Sequence, residues 1–141
     1  MIGMRIGFDT NIILDMLLRR APHAETANRL FAALELGRLD GVPGATSLTT
    51  ASYFVEKTYG SERVHQDMHD LLQLFHIAPV NRSVLEKVGA AGFEDFEDAV
   101  LHEAARQTRA DGIVTRNADD FTAATLTIYT SAELLEALRQ R

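Results

Sequence analysis

A short apolar run that ends abruptly in an acid constrains this chain more than any other feature. Ile6, Gly7 and Phe8 are followed by Asp9, and an amide and an apolar, helix-like segment come directly after it. This pattern predicts a buried β-strand that delivers a carboxylate to its C-terminal end and then turns into a helix. In open α/β sheets, ligands bind in the crevice beyond the carboxyl ends of the strands, so Asp9 is a candidate site residue. The same acid could equally serve only as the N-cap of a helix that starts at Asn11.

The rest of the chain alternates strand-like and helical patterns. Further strands are predicted around residues 40–43, 113–115 and 126–129, with a brief extended segment at 76–80 as an additional candidate. Helices are predicted to end at Gly37 and to cover residues 48–59, 61–75, 83–90, 93–109 and a terminal segment capped by Ser131. Strands that alternate with helices imply βαβ units. We therefore expect one three-layer α/β/α domain over residues 1–141, with a central parallel sheet of four to five strands.

Composition and charge exclude several classes of protein. The chain contains no Cys, which removes disulfides, thiolate metal sites and cysteine nucleophiles together. It has no apolar run near the roughly 20 residues of a membrane span and no signal-peptide core, so we expect a cytoplasmic protein. The net charge of -6 argues against a broad basic face for nucleic acid. It does not argue against a protein that meets phosphate through bound cations.

Acids and amides beside predicted strand ends or helix starts form a group of candidate site residues. Besides Asp9 they are Asp95, Asp98, Asn117, Asp119, Asp120 and, well inside a predicted helix, Glu56. In a parallel sheet the ends of two strands and the N-terminus of the helix between them share one edge. Asp9, Asp98 and the loop at 117–120 are therefore expected to meet there. Acids in a first helical turn also favour the helix dipole, which is the structural alternative for Asp95 and Asp98.

Three carboxylates and an amide make a set of hard oxygen ligands. With no Cys and no matching His, such a set suits Mg²⁺ or Mn²⁺ far better than zinc. One such ion, or a pair, commonly activates water and stabilises the charge of an in-line attack on phosphate. His65 and His69 are four residues apart and could bind a metal, but they lie in an otherwise ordinary amphipathic helix.

Three segments, taken in order along the chain, resemble the PIN domain family. They are Ile6-Gly7-Phe8-Asp9-Thr10-Asn11, Gly92-Phe93-Glu94-Asp95-Phe96-Glu97-Asp98-Ala99 and Ile113-Val114-Thr115-Arg116-Asn117-Ala118-Asp119-Asp120-Phe121. The resemblance spans essentially the whole chain and implies a metal-dependent nuclease. A stand-alone domain of this length is similar to the VapC-type toxins of bacterial toxin–antitoxin modules. Those toxins cut RNA with Mg²⁺ or Mn²⁺, are held inactive by a cognate antitoxin and are usually dimers.

The resemblance also implies roles for individual residues. Asp9 matches the first family acid, and Asp98 matches the acid that begins the long helix. Asn117 occupies a position often held by a further acid, and Asp120 matches a recurrent acid. The resemblance thus implies that Asp9, Asp98 and Asp120 are metal ligands and that Asn117 is a secondary catalytic residue.

The chain departs from the family pattern at the second family acid. That residue is normally a Glu early in the helix after the second strand, and Ser52 stands there in this sequence. Glu56 lies one turn later and could reach the same face, which makes it a candidate catalytic residue, with Asp95 as the other possible replacement. Asn11 and Thr115 could position water or phosphate, and Arg116 could contact the substrate backbone. These three are the predicted substrate-binding residues.

The leading hypothesis is a Mg²⁺- or Mn²⁺-dependent endoribonuclease, the toxin component of a type II toxin–antitoxin system. Its expected partners are RNA, an antitoxin protein and a second copy of the chain. The alternative is a catalytically weak or inactive PIN-fold module that binds RNA or a protein, motivated by Ser52 and Asn117. A phosphoacceptor signalling domain, a third class considered, would need a clustered pair of acids before the first helix and a Lys late in the chain. The last lysine is Lys87, which disfavours that class.

Overall fold

A four-stranded parallel sheet with helices on both faces organises the protein. The computed structural model describes residues 3–89 and 92–141, which form four strands, seven α-helices and one 3₁₀ turn. The strands are β1 (Met4–Phe8), β2 (Leu39–Pro43), β3 (Gly112–Val114) and β4 (Thr127–Tyr129), in the order β2-β1-β3-β4. The helices are α1 (Thr10–Leu17), α2 (Ala24–Glu35), α3 (Ala45–Tyr59), α4 (Ser61–Leu74), α5 (Arg82–Val88), α6 (Phe96–Gln107) and α7 (Ser131–Arg139). The predicted three-layer α/β/α fold with a parallel sheet is confirmed.

Alternation along β1 divides the core between the two faces of the sheet. Ile6 and Phe8 face one layer, where they pack among residues of α1, α2, α3, α4 and α7. Gly7 points to the other face, where a Cβ atom would lie 3.1 Å from the Ala105 Cβ of α6. The glycine therefore lets α6 lie close against the centre of the sheet, and this approach places the start of α6 beside the end of β1.

Several predicted boundaries shift for local reasons. The long helix begins at Phe96 instead of Phe93, because the Asp95 side chain accepts a hydrogen bond from the Asp98 amide and caps it. It ends at Gln107, and Arg109 adopts a positive φ of 62°. At the C-terminus, Thr130 rather than Ser131 is the N-cap, and it forms a capping box with Glu133.

The candidate strand at 76–80 is not a strand. Two isolated parallel bridges lie here: Phe75, just before the segment, pairs with Gly41 of β2, and Ala78 pairs with Gly44, the residue after β2. The sheet of the described residues thus has four strands. The helix predicted over 83–90 is observed as Arg82–Val88, and Ala90 lies outside the described residues. Within the described chain, no helix combines the length and the apolar character that a membrane crossing requires.

Candidate functional site

Asp9 stands at the switch point of the sheet, between β1 and β3. The chain places β2 on one side of β1 and β3 on the other, which opens a crevice at the C-terminal edge of these two strands. The Asp9 amide donates to the Val114 carbonyl at 3.1 Å, which ties the residue to β3. One carboxylate oxygen accepts from the Thr10 amide at 2.8 Å, and the other accepts from the Thr115 hydroxyl at 2.7 Å. Asp9 therefore caps α1, as one interpretation of the sequence expected, and its carboxylate also lies at the crevice that the other interpretation required.

Asp98 comes to the same edge because α6 begins there. Gly92 turns the chain at a φ of 78°, and the Asp95 side chain accepts a hydrogen bond from the Asp98 amide at 2.9 Å. Asp95 thus has the capping role expected for an acid at a helix start. The next two residues, Ala99 and Val100, are buried in the core, which leaves the Asp98 side chain half-buried at the first turn of the helix. Within residues 3–89 and 92–141, no hydrogen bond reaches the Asp98 carboxylate.

Asp120 belongs to the 3₁₀ turn, Ala118–Phe121, that follows β3, and Asn117 is the N-cap residue of this turn. The Asn117 amide donates to the Thr115 hydroxyl oxygen at 3.1 Å, and the Asp120 amide donates to the Asn117 carbonyl at 2.9 Å. Thr115 thus orients Asp9 with its hydroxyl proton and holds the start of the turn with its oxygen. A cavity of about 450 Å³ beside this turn is lined by four acids, Glu94, Asp95, Asp119 and Asp120.

The acids at this edge act on Asp98 electrostatically. Burial raises the pKa of the Asp98 carboxyl, and the charges of neighbouring acids raise it further, to about 7. Those neighbours are Asp9, Asp95, Asp120 and Glu97. A carboxyl whose ionisation is opposed by other carboxylates lies where a cation would be bound favourably. The predicted meeting of Asp9, Asp98 and Asp120 therefore appears in the structure as one electrostatic cluster.

The pKa of Asp9 is raised for a different balance of reasons. Burial is the largest cause, and the hydrogen bonds from Thr115 and Thr10 oppose it. The charges of Asp95 and Asp120 add to the rise. The hydrogen bonds hold the Asp9 carboxylate in one orientation, whereas the negative charges of the neighbouring acids oppose its ionisation.

Glu97 is an acid at this edge that sequence reasoning did not assign to the site. A carboxylate oxygen of Glu97 lies 3.5 Å from the Thr10 hydroxyl, and its charge contributes to the raised pKa of Asp98. Its position beside Asp98 in the first turn of a helix was the available signal, because the acids of one turn share a helix end.

The position of the second family acid has no carboxylate of its own. The Ser52 hydroxyl donates to the Thr49 carbonyl at 2.8 Å, inside α3. Glu56, one turn further along, is exposed. Among the described residues that raise the pKa of Asp9 or Asp98, Glu56 does not appear. The structure therefore does not bring Glu56 into the electrostatic cluster.

Two of the predicted substrate contacts lie in a charged network next to Thr115. The Asn11 side-chain oxygen accepts a hydrogen bond from Arg20 at 3.1 Å. The Arg116 Nε lies 3.2 Å from Oδ2 of Asp15, whose side chain is only 1% exposed. Arg116 and Asn11 are thus joined through Arg20 and Asp15, a connection that no motif in the sequence indicates.

The donor set at the acidic edge fits a hard divalent cation in its chemistry, because it consists of carboxylate and amide oxygens. The raised pKa of Asp98 fits it as well, since bound positive charge would relieve the repulsion among the acids. In the described chain, however, no three His, Asp or Glu side chains form a ready group that could hold a metal ion. His65 and His69 likewise have no third ligand among those residues.

A comparison with protein families gives a match over most of the chain. The model of a family described as PIN domain matches residues 5–119. No curated protein matches this sequence.

Solved structures with the same fold include chains of toxin–antitoxin complexes. A chain of a toxin–antitoxin complex from Klebsiella pneumoniae has a TM-score of 0.68 and 22% identity, with 89% of this chain and 97% of that chain covered. A chain of VapBC2 from Rickettsia felis, bound to a DNA fragment from its promoter, has a TM-score of 0.68 and 16% identity, covering 90% and 98%. Mycobacterium tuberculosis VapC20, a sarcin-ricin loop cleaving toxin, has a TM-score of 0.63 and 15% identity, covering 77% and 86%. At these identities the likeness establishes the fold.

Proposed function

The chain belongs to the PIN domain family, and we propose that it is a divalent-metal-dependent endoribonuclease, the toxin component of a type II toxin–antitoxin system. One observation carries the proposal: at the C-terminal edge of the sheet, four acids and burial together raise the pKa of Asp98 to about 7. Clustered carboxylates of this kind oppose their own ionisation and favour a bound cation. Mg²⁺ and Mn²⁺ prefer such oxygen ligands.

The proposed ligands are the carboxylates of Asp9, Asp98 and Asp120, with the Asn117 amide as a neutral oxygen donor. Glu97 supplies a further carboxylate, a role for which the sequence also offers Glu56 and Asp95. A bound divalent cation supplies the positive charge that activates water and stabilises the charge developing on a phosphodiester.

The residues of the chain itself prepare this centre. The Thr115 hydroxyl and the Thr10 amide each donate to one Asp9 oxygen, so the carboxylate keeps a fixed orientation at the crevice. With its pKa raised to about 7, the Asp98 carboxyl is partly protonated near neutral pH, and a bound cation would favour its ionised form. Asn11 and Arg116 contact the substrate in this proposal, and Thr115 positions Asp9 as well as the turn at Asn117.

RNA, an antitoxin and a second copy of the chain are the proposed partners. A structural relative from Klebsiella pneumoniae is a toxin–antitoxin complex, and VapC20 is named as a toxin that cleaves the sarcin-ricin loop. Because the net charge is -6, we expect RNA phosphates to be bound by a divalent cation and a few arginines instead of a broad basic surface. The proposal places the protein in the cytoplasm as a homodimer. Light scattering after size-exclusion chromatography should then give twice the 15.6 kDa of one chain.

The decisive experiment is cleavage of a mixed RNA pool with Mg²⁺, with Mn²⁺ and with EDTA. The wild type is compared with Asp98→Asn and with Asp70→Asn, which removes an exposed acid from α4. We expect cleavage with either metal, none with EDTA, loss in Asp98→Asn and full activity in Asp70→Asn. Metal-independent cleavage, or equal activity in all three proteins, would contradict the proposal. A wild type that cleaves nothing and binds no metal in calorimetry would contradict it as well.

A further inference from the structure

A second polar cluster surrounds Asp15, which is buried in α1 and takes no part in the proposed chemistry. Its Oδ1 lies 2.9 Å from an Arg20 terminal nitrogen, and its Oδ2 lies 3.2 Å from the Arg116 Nε. Arg20 also donates to the backbone and side-chain oxygens of Asn11, both at 3.1 Å. Two guanidinium groups against one carboxylate leave one positive charge unbalanced. Because the Arg20 and Arg116 side chains are 34% and 29% exposed, a partner of opposite charge can reach this positive charge from solvent.

A cavity borders this unbalanced charge. It has a volume of about 250 Å³ and is lined by Arg116 and Asp15 together with His23, Thr26, Thr115, Thr130, Ser131 and Ala132. Among these described lining residues Asp15 alone is acidic, and two arginines face its carboxylate. The hydroxyl groups, the imidazole and the guanidinium can all donate hydrogen bonds. In a chain of net charge -6, the cavity is therefore suited to an anion.

The way Arg116 is held leaves part of its guanidinium free. Arg116 approaches Asp15 through Nε, and its side chain is 29% exposed. Within residues 3–89 and 92–141, Arg116 donates no hydrogen bond to another side chain or carbonyl. An arginine fixed along one edge can present its two terminal nitrogens to a phosphate, whereas a lysine has one nitrogen for both partners.

Thr115 connects this cavity to the acidic centre. It lines the cavity, and its hydroxyl donates to Asp9 Oδ2 at 2.7 Å. Because one residue contacts both, the cavity lies next to the acidic centre. We propose that the cavity is a subsite for an RNA backbone phosphate next to the cleaved one, and that Arg116 binds it. Asp15 is the positioning residue that holds Arg116, and this inference rests on the proposed function.

The first test measures binding without cleavage. Fluorescence anisotropy of a labelled, mixed-sequence single-stranded RNA is followed in EDTA over a range of salt concentrations. We expect Arg116→Gln to weaken binding about tenfold, as for loss of a charged hydrogen bond. The slope of log K against log salt should fall by about 0.7, the value for one phosphate contact on a single strand. Arg116→Lys should resemble Arg116→Gln although it keeps the charge.

The matched control is Arg139→Gln. Arg139 is 77% exposed in an ion pair with Glu136 near the C-terminal end of α7. Its replacement removes the same charge far from the cavity and should leave the salt slope unchanged. Equal slopes in Arg116→Gln and Arg139→Gln, or wild-type affinity in Arg116→Lys, would overturn the subsite.

The effect of Asp15→Asn on RNA affinity shows whether Asp15 orients Arg116 or only adds negative charge beside it, because the two roles predict changes in opposite directions. Removing a negative charge beside Arg116 should tighten RNA binding if only the local charge matters. We expect weaker binding, because Arg116 loses the carboxylate that orients it, and Glu136→Gln should change little. Tighter binding by a folded Asp15→Asn protein would overturn the role of Asp15. If this variant does not fold, Arg116→Lys still decides the question, because it alters the same contact from the exposed side.

A second probe does not depend on RNA. Inorganic phosphate should raise the melting temperature of the wild type more than chloride at equal ionic strength, and this excess should be absent in Arg116→Gln. An excess that persists in Arg116→Gln, or is absent from the wild type, would overturn the subsite. If the wild type cleaves RNA and Arg116→Gln binds RNA with wild-type affinity, the subsite is overturned and the proposed function stands. A wild type that shows the phosphate excess but neither binds nor cleaves RNA defeats the proposed function while the anion site stands.

Discussion

The two ends of the parallel sheet carry aspartates in opposite electrostatic settings. At the N-terminal end, Asp40 accepts hydrogen bonds from Arg5 and His76, each at 2.8 Å. Burial would raise the pKa of Asp40, but the hydrogen bonds and charges of Arg5 and His76 outweigh it and lower the pKa. At the C-terminal end, burial and neighbouring acids raise the pKa of Asp98 to about 7. The same side chain is thus stabilised as an anion at one end and destabilised at the other.

This difference separates a structural acid from a functional candidate. Asp40 joins β1 to the segment after α4 through Arg5 and His76, so its charge is used within the fold. The charge of Asp98 is opposed by burial and by neighbouring acids that include Asp9 and Asp120, so a bound cation would favour it. Burial alone does not distinguish the two ends, because it acts in the same direction on both carboxyls. The residues that contact or surround each carboxyl therefore decide the direction of its pKa shift.

The largest expected effect is on catalysis. Asp9→Asn should lower the single-turnover rate of RNA cleavage by at least about 100-fold, since even residues that only support metal ligands cost up to that much. Asp40→Asn should leave the rate unchanged, because its contacts are with Arg5 and His76 at the other end of the sheet. Both rates are measured on proteins shown to be folded by circular dichroism. Similar losses in the two variants would break the contrast.

Metal binding should stabilise the protein through the acids at the C-terminal end of the sheet and not through Asp40. At a Mg²⁺ or Mn²⁺ concentration of a hundred times Kd, the free energy of unfolding should rise by about 2.7 kcal/mol. Asp98→Asn should lose most of this gain, and Asp40→Asn should keep it. Urea denaturation with the metal chloride is compared with sodium chloride at equal ionic strength. A gain that survives in Asp98→Asn would place the cation elsewhere.

The metal-free protein should lose stability as the pH rises from about 4 to about 7. Asp98 binds its proton more tightly in the folded state, with a pKa raised from 3.8 to about 7, so folding takes up a proton in that window. We expect a loss of about 2 kcal/mol, because solvent screens the half-exposed carboxyl and reduces the full effect of the shift. Denaturation in EDTA at a series of pH values measures it. The free energy of unfolding of Asp98→Asn should depend less on pH. If it depends on pH as strongly as that of the wild type, Asp98 is not the cause of the loss.

The smallest effect belongs to Asp40. Its pKa is lowered in the folded state, so its contribution is present above the unfolded value of 3.8 and disappears as the pH falls through the folded value. Asp40→Asn should therefore cost about 1 kcal/mol at neutral pH and almost nothing in strong acid. Thermal unfolding at the two pH values measures the difference, with Asp70→Asn as a neutral control. A cost that is equal at both pH values would point to packing instead of charge.

Most of the fold could be predicted because its signals are local. The apolar run before Asp9 marks β1, and the helical spacing of Ala27, Leu30 and Leu34 marks α2. The errors also have local causes. The segment at 76–80 looks extended, but its one bridge joins Ala78 to Gly44, just after β2. Asp95 caps α6, which shortens the predicted helix by one turn at its start.

The acidic edge was predictable for a topological reason. Parallel strands bring their carboxyl ends to one side, so Asp9 at the end of β1 and the turn after β3 had to be near one another. The start of α6 shares that edge, which brought in Asp98. Glu97 was missed because its sequence position equally suits a solvated helix start. Glu56 was included on helical spacing, and the structure leaves it exposed outside the cluster.

The amino-acid sequence alone predicts the alternation of strands and helices, the oxygen chemistry of the acidic edge and the family. These depend on residue type and short-range spacing, which a chain carries before it folds. The tertiary structure decided which charges are balanced. Asp15 and Arg116 are about a hundred positions apart, and they meet because Asp9, the residue before α1, is hydrogen-bonded to Val114 at the end of β3. Whether a carboxylate meets a guanidinium, as Asp15 does, or other carboxylates, as Asp98 does, is a property of three-dimensional neighbours that no local pattern encodes.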